Sequence, residues 1–266
     1  MLITANEWWK YISKLSAINQ KAADLMQEYV YKHGYEVNRA MIDYAYSLAT
    51  KYGEAAAELA CIMYDDMAAY WALDHAGKMT FQSAIPAETA TYSETAAAMK
   101  AVGKQAPTEI PSVVGRLVKQ AGADTTLQNA LRDGAEFAWI PHGDTCAFCI
   151  ALASRGWQKA SKRSIKNGHA EHIHSNCDCA YGVRFDSSTS VEGYDPGVYL
   201  DMYYSADGST PKQRINSMRR EFYAENKEKI NAQKRAAYEK RKEREESSAE
   251  EINTDDPYNM WRSMFG

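Results

Sequence analysis

What this chain of 266 residues lacks narrows its class first. No stretch approaches the roughly twenty consecutive apolar residues that a helix needs to cross a bilayer. The N-terminal MLITANEWWKYISKLSA has no basic segment leading into an apolar core, so a secretory signal is not expected. There is no excess of positive charge. Lys and Arg total 31 against 35 Asp and Glu, and the net charge of −4 argues against tight, sequence-blind nucleic-acid binding by the molecule as a whole. A local basic patch is still compatible with that balance. No internal repeat is visible. Cysteine is scarce: of five, Cys61 stands alone and the other four fall between positions 146 and 179. In the reducing cytosol expected of a chain without an export signal, clustered thiols favour metal ligation over disulfides.

Core material is present in the usual amount, with 45% apolar and 25% charged residues, enough for one large domain or two modest ones. Helical spacing dominates the first 120 residues. Thr4 and Glu7 have the spacing of a capping box, and Leu15, Ile18, Ala22, Leu25, Met26 and Tyr29 follow on one face. Gly34 supplies the stop. A second helix is predicted from Asn38 to Asp74, broken or bent near Gly53, with Ala45, Ala49, Ala56 and Ala60 allowing close approach of a neighbour. The Tyr and Met residues of these helices, and Cys61, read as core packing. A loop over 76–87 then leads to predicted helices at Glu88–Val102, Ser112–Lys119 and 124–140, the last capped by Asp124. YGVRF (181–185) reads as a short strand and 186–210 as loops. From Pro211 to Glu246 the chain carries twelve Lys/Arg against seven Glu and predicts a solvated helix. An acidic tether from 247 ends in an aromatic, Met-rich peptide (258–266) suited to docking in a groove.

The cysteine spacing carries the chemistry. Cys146-x2-Cys149 and His174-x2-Cys177-x-Cys179 form two local ligand groups separated by a loop, the usual construction of a tetrahedral zinc site. Closing a loop of about 27 residues costs roughly 3 kcal/mol, against zinc binding worth on the order of 10 kcal/mol. Five candidates compete for four positions, so His174 or one of Cys177 and Cys179 stands outside the first shell. A dithiol redox centre leaves Cys177 and Cys179 without a role, and a cysteine nucleophile normally stands alone. The sharpest enzyme alternative is a zinc-stabilised nuclease using His169 or His172 as base. It lacks paired carboxylates and a second positioned histidine.

Taken together, TCAFCIALASRG (145–156), HIHSNCDC (172–179) and the upstream RDGAEFAWIP (132–141) resemble the minor head proteins of tailed bacteriophages, in particular the minor capsid proteins of siphoviruses of Gram-positive hosts, related to the Mu F-like head morphogenesis family. Cys146, Cys149, His174, Cys177 and Cys179 match that pattern, and Ser175 stands where Mu F-like members commonly have proline. The resemblance implies a non-enzymatic protein of the virion head, assembled in the host cytoplasm, present in several copies, and associated with the portal and other head proteins.

The expected architecture is therefore mainly α: a helical region over 1–120, a small α+β zinc-binding knot over 121–210, a charged helix over 211–246 and a tail over 247–266. No membrane partner is expected. Packaged DNA is a further candidate partner through Lys234, Arg235, Lys240, Arg241, Lys242 and Arg244. The interleaved Glu239, Glu243, Glu245 and Glu246 favour instead an exposed helix laced with ion pairs.

Overall fold

Three helices begin where a threonine and an acidic or amide side chain satisfy each other's backbone donors. In the computed structural model, which describes residues 2–74, 82–142, 145–163, 179–187 and 190–254, Thr4 caps α1 (Ala5–His33) and Thr91 caps α3 (Tyr92–Gln105). Glu7 and Glu94 complete the two capping boxes. The predicted start at Glu88 therefore moves to Thr91, because T-x-x-E at 91–94 is the stronger signal. Gly34 ends α1 at φ 81°, its N–H bonded to the Val30 carbonyl. Asn38 opens α2 (Arg39–Asp74) by accepting the Met41 N–H at 2.9 Å.

Two expected interruptions do not occur. α2 runs unbroken through Gly53, and α4 (Ile110–Asp133) runs through the whole of 112–133, where two helices and a boundary at 120/121 were expected. The reason is packing. A Cβ on Gly53 would stand 2.9 Å from the Thr89 methyl, and one on Gly122 would stand 3.2 Å from the Ala56 carbonyl oxygen. These glycines are contact points rather than breaks, Gly53 seating the segment before α3 and Gly122 seating α2. Ala45, Ala49, Ala56 and Ala60 are all buried, as expected of a close-approach face, and α2 packs against α1, α3 and α4. Tyr64, Met26, Met41, Met99 and Leu127 fill the fully buried centre. Cys61 departs from its reading as a buried hydrophobe: it is half-buried, and burial, with Asp65 and Glu58 on its own helix, pushes the thiol up.

The segment over 82–91 has no regular structure, yet α4 side chains meet its backbone. Asn129 accepts from the Ile85 N–H at 2.9 Å and donates to the Ile85 carbonyl at 2.8 Å, while Thr125 accepts from the Ala87 N–H. Both side chains are buried polar groups whose partners are this strap, which is how a core tolerates them. Arg132 donates to the Ser83 and Gln82 carbonyls and pairs with Asp133, which also accepts from the Tyr64 hydroxyl at 2.7 Å.

Gly134 at φ 65° terminates α4, and the chain then forms β2 (Glu136–Ile140), where a continuous helix to 140 was expected. Phe137, Ala138, Trp139 and Ile140 are all buried, so the strand shows none of the alternation that would have marked it. β2 is the centre of a three-stranded antiparallel sheet, between β3 (Gln158–Lys159) and β4 (Ala180–Arg184). β4 overlaps the predicted strand (181–185) over residues 181–184. β1 (Leu2–Ile3) pairs in parallel with β5 (Ser190–Val191). The expected loop over 186–210 contains α6 (Pro196–Ser205), opened by Asp195 as cap and Pro196 in the first turn. The contact pattern divides the chain after Ala206. The second unit consists, among described residues, chiefly of α7 (Pro211–Thr254), which continues past the expected end at Glu246.

Two measurements test this packing. Gly122→Val should destabilise the protein by about 2–3 kcal/mol in denaturant melts, since its neighbour is backbone and cannot yield. A neutral result would show that α2 and α4 do not approach this closely. Tyr64→Phe should cost about 1.5–3 kcal/mol, the usual value for a bond to a charged acceptor. Burial pushes the Asp133 carboxyl up, but the bonds from Arg132 and Tyr64 outweigh it and hold it below its ordinary value. Its contribution is therefore present above the ordinary carboxylate pKa and lost as pH falls through the lower folded one. The deficit of Asp133→Asn should accordingly shrink between pH 7 and pH 3. A deficit constant over that range contradicts the assignment.

Candidate metal-binding segment

The chain reaches the cysteines directly from the central strand. Ile140 of β2 pairs with Ala180 of β4, so the residue before β4, Cys179, lies at the same end of the sheet as Pro141 and His142. After Thr145, Cys146 stands at the N-cap of α5 (Ala147–Ala153) in extended backbone geometry. Its carbonyl accepts the Ile150 N–H at 3.0 Å. Cys146 is half-buried; Cys149, one turn on, and Cys179 are buried. α5, which carries Cys149 and is capped by Cys146, packs against β2 and α6, and the antiparallel register places Cys179 at the Ile140 end of the sheet. His174 and Cys177, and the alternative bases His169 and His172, lie outside the described residues.

Local chemistry holds the sheet together along its whole length, from Ile140 and Ala180 at the cysteine end to Glu136 and Arg184 at the other. The register places Trp139 opposite Tyr181, and the Tyr181 ring meets Trp139 and Phe137 edge-on at 4.6 and 5.6 Å. Gly182 faces Ala138, where a Cβ would collide with the Ile140 side chain. Arg184 pairs with Glu136 at 2.6 Å and lies over the Trp157 ring at 4.8 Å. The LASRG stretch is the end of α5. Leu152 and Ala153 are buried, Ser154 returns its hydroxyl to the Ala151 carbonyl, and Gly156 turns the chain at φ 63° against Pro196. Tyr194 donates to the Ala153 carbonyl at 2.9 Å, fastening the segment before α6 to the same helix.

Electrostatics follow burial. The Tyr181 hydroxyl is pushed well above its ordinary range by burial, with Asp124 and Cys149 adding to the effect. Tyr199 is raised by burial and by Cys179. Among the described residues, no three His, Cys, Asp or Glu side chains form a group that could hold a metal. Cys146, Cys149 and Cys179 alone therefore do not make a complete site.

A cleft of about 390 Å³ opens beside this end of the sheet, lined by Trp8, Trp9, Pro141, His142, Tyr194 and Tyr199 among others. Two larger clefts, of about 550 and 560 Å³, lie between α1 and α2 and between α1 and α4, and contain no residue of the cysteine segment. Sequence reasoning missed the Glu136–Arg184 pair and the tyrosines of the 194–199 segment. The Asp195-Pro196 helix start was the signal that would have brought the tyrosines into view.

Residues 2–206 match the VG15 protein family. The chain belongs to that family. VG15 is a phage family, and this chain is accordingly a phage protein. The match ends at Ala206, the same residue at which the first compact unit of this VG15 protein ends. No curated protein and no solved structure matches. Among the described residues, no helix is long and apolar enough to cross a membrane.

The burial of the thiols is directly testable with a thiol reagent on native protein. Cys61→Ser should remove one slowly reacting group, whereas Cys149→Ser and Cys179→Ser should remove none. Loss of a fast-reacting thiol in Cys179→Ser would show that the start of β4 is open to solvent.

Proposed function

We propose that this VG15 protein is a non-enzymatic minor capsid protein that acts in head morphogenesis, in several copies, in association with the portal and other proteins of the virion head. The observation that carries this reading is the family match over the entire folded unit up to Ala206, which includes the cysteine segment and the turn formed by LASRG. The resemblance of these motifs to Mu F-like and siphoviral minor head proteins supplies the finer assignment.

Within that role the cysteine segment is a structural zinc fastening, with Cys146, Cys149, His174, Cys177 and Cys179 as the five candidate ligands. Two features support it. Cys146 and Cys149 project from one short helix start, and Cys179 leads into the strand paired with the one preceding that helix. Zinc here ties a helix start to a strand start and supplies the cation that buried thiolates need.

Co-expression with the neighbouring head proteins tests the role, with co-purification of portal as the expected result. Purified chain should carry about one zinc, and a chelator should lower its melting temperature. Well under one zinc per chain with no chelator effect overturns the fastening. Metal-dependent cleavage of plasmid DNA that is lost in His172→Ala overturns the non-enzymatic reading in favour of a nuclease.

A further inference from the structure

The second unit lies outside the family match and carries a charge pattern that composition conceals. α7 is one continuous helix from Pro211 to Thr254, about 66 Å long at 1.5 Å per residue. Thr210 and Gln213 cap its start: the Gln213 side chain accepts from the Ser209 and Thr210 N–H groups, and the Thr210 hydroxyl accepts from the Gln213 N–H. Because the helix is unbroken, each residue advances about 100° around its axis, and the charges can be placed.

Over 212–234 they largely segregate. Lys212, Arg219, Arg220, Lys227 and Lys234 fall within an arc of about 100°, while Glu221, Glu225 and Glu228 fall within about 60° on the far side, together with Arg214; beyond this stretch Glu245 returns to the basic side. The ion-pair reading requires opposite charges three or four residues apart. None of the five basic residues has an acidic residue at either spacing in either direction. By contrast, Lys229, Arg235, Lys240 and Lys242 each have a glutamate so placed. All five stripe residues are exposed, and none makes a hydrogen bond or ion pair with its side chain among the described residues. Tyr223 and Tyr238, both exposed, lie on the same face.

We propose that this stripe is a binding surface for duplex DNA, held through the phosphate backbone. Four features favour it. The cations at 220, 227 and 234 recur every seven residues, about 10.5 Å apart, as suits a uniform polyanion rather than a single pocket. From 212 to 234 the stripe extends about 33 Å, close to one turn of the duplex. No acidic side chain interrupts it, and the tyrosine hydroxyls add hydrogen-bond donors of the kind that contact phosphates. The acidic face directs the opposite side of the helix away from the nucleic acid. The inference rests on the phage-head reading only for where the chain meets such DNA.

The test uses the full chain and a fluorescent duplex of arbitrary sequence, titrated between 50 and 200 mM salt. With five phosphate contacts, the logarithm of the affinity should fall with a slope of about −4.5 against the logarithm of salt concentration. Replacing Arg219, Arg220, Lys227 and Lys234 together by Gln should weaken binding about a hundredfold or more at 50 mM and bring the slope close to −1. The charge-matched control, with Gln at 229, 235, 240 and 242, should lose less than about tenfold with a slope change below one. Circular dichroism should show unchanged helix in both, since Gln is a good helix former. Equal losses in the two variants would overturn the stripe, leaving net charge alone, as would the absence of binding by the unaltered chain. A third overturning result is low-salt self-association that the stripe variant abolishes without any DNA binding. In that case the partner is the acidic face of a second copy. Portal co-purification does not depend on this assay, so either reading can fail without the other.

Discussion

The fold of the first unit depends on how closely α2 and α4 approach. Backbone meets backbone at Gly122 and Ala56, and the alanine face of α2 leaves no side chain to hold the helices apart. Such a contact gains dispersion energy along its length while losing little side-chain entropy. It also fixes α4 relative to its neighbours, because a small-residue seam has no slack to absorb a shift. α1 and α3 then pack on the same pair.

That constraint is transmitted along α4. Its side chains Thr125, Asn129 and Arg132 hold the 82–91 strap, and its C-terminal glycine aims the chain into the central strand. From there the antiparallel register sets where β4 begins and thus where Cys179 sits, while the short stretch after Ile140 sets where α5 begins. The edge of β4 is managed too: the Val183 N–H donates to the Met67 thioether of α2 at 3.3 Å, so a helix covers a group that would otherwise invite another strand. The position of the thiols is a downstream consequence of helix packing and strand register.

Legibility followed the range of each signal. Capping boxes, the Gly34 stop and the heptad-like face of α1 act within a turn or two, and the structure contains them where the residues indicate. The strand at 180–184 was visible because β-branched and aromatic residues follow a clear break. β2 was hidden because both its faces are covered, which removes the period-two pattern. Gly53 was misread because a glycine in a helix looks the same whether it ends the helix or seats a neighbour. In the candidate site, the spacing of Cys146 and Cys149 announced a local ligand pair. Nothing in it showed that Cys179 would be buried at the end of a sheet made with a strand read as helix.

The sequence by itself determined the helix starts, the predominance of helix, the clustering of four thiols and the periodicity that largely separates basic from acidic residues over 212–234 of α7. These depend on neighbours at most a few positions apart, where chain geometry is nearly invariant. Only the tertiary structure decided that α4 is one helix, that β2 is a strand and that Cys149 is sealed while Cys61 is partly open. It also decided that the residues after Asp195 form a helix packed on α5. Each of those depends on what lies across a contact from a distant part of the chain, and burial by such a partner outweighs the modest local preferences of the residues concerned.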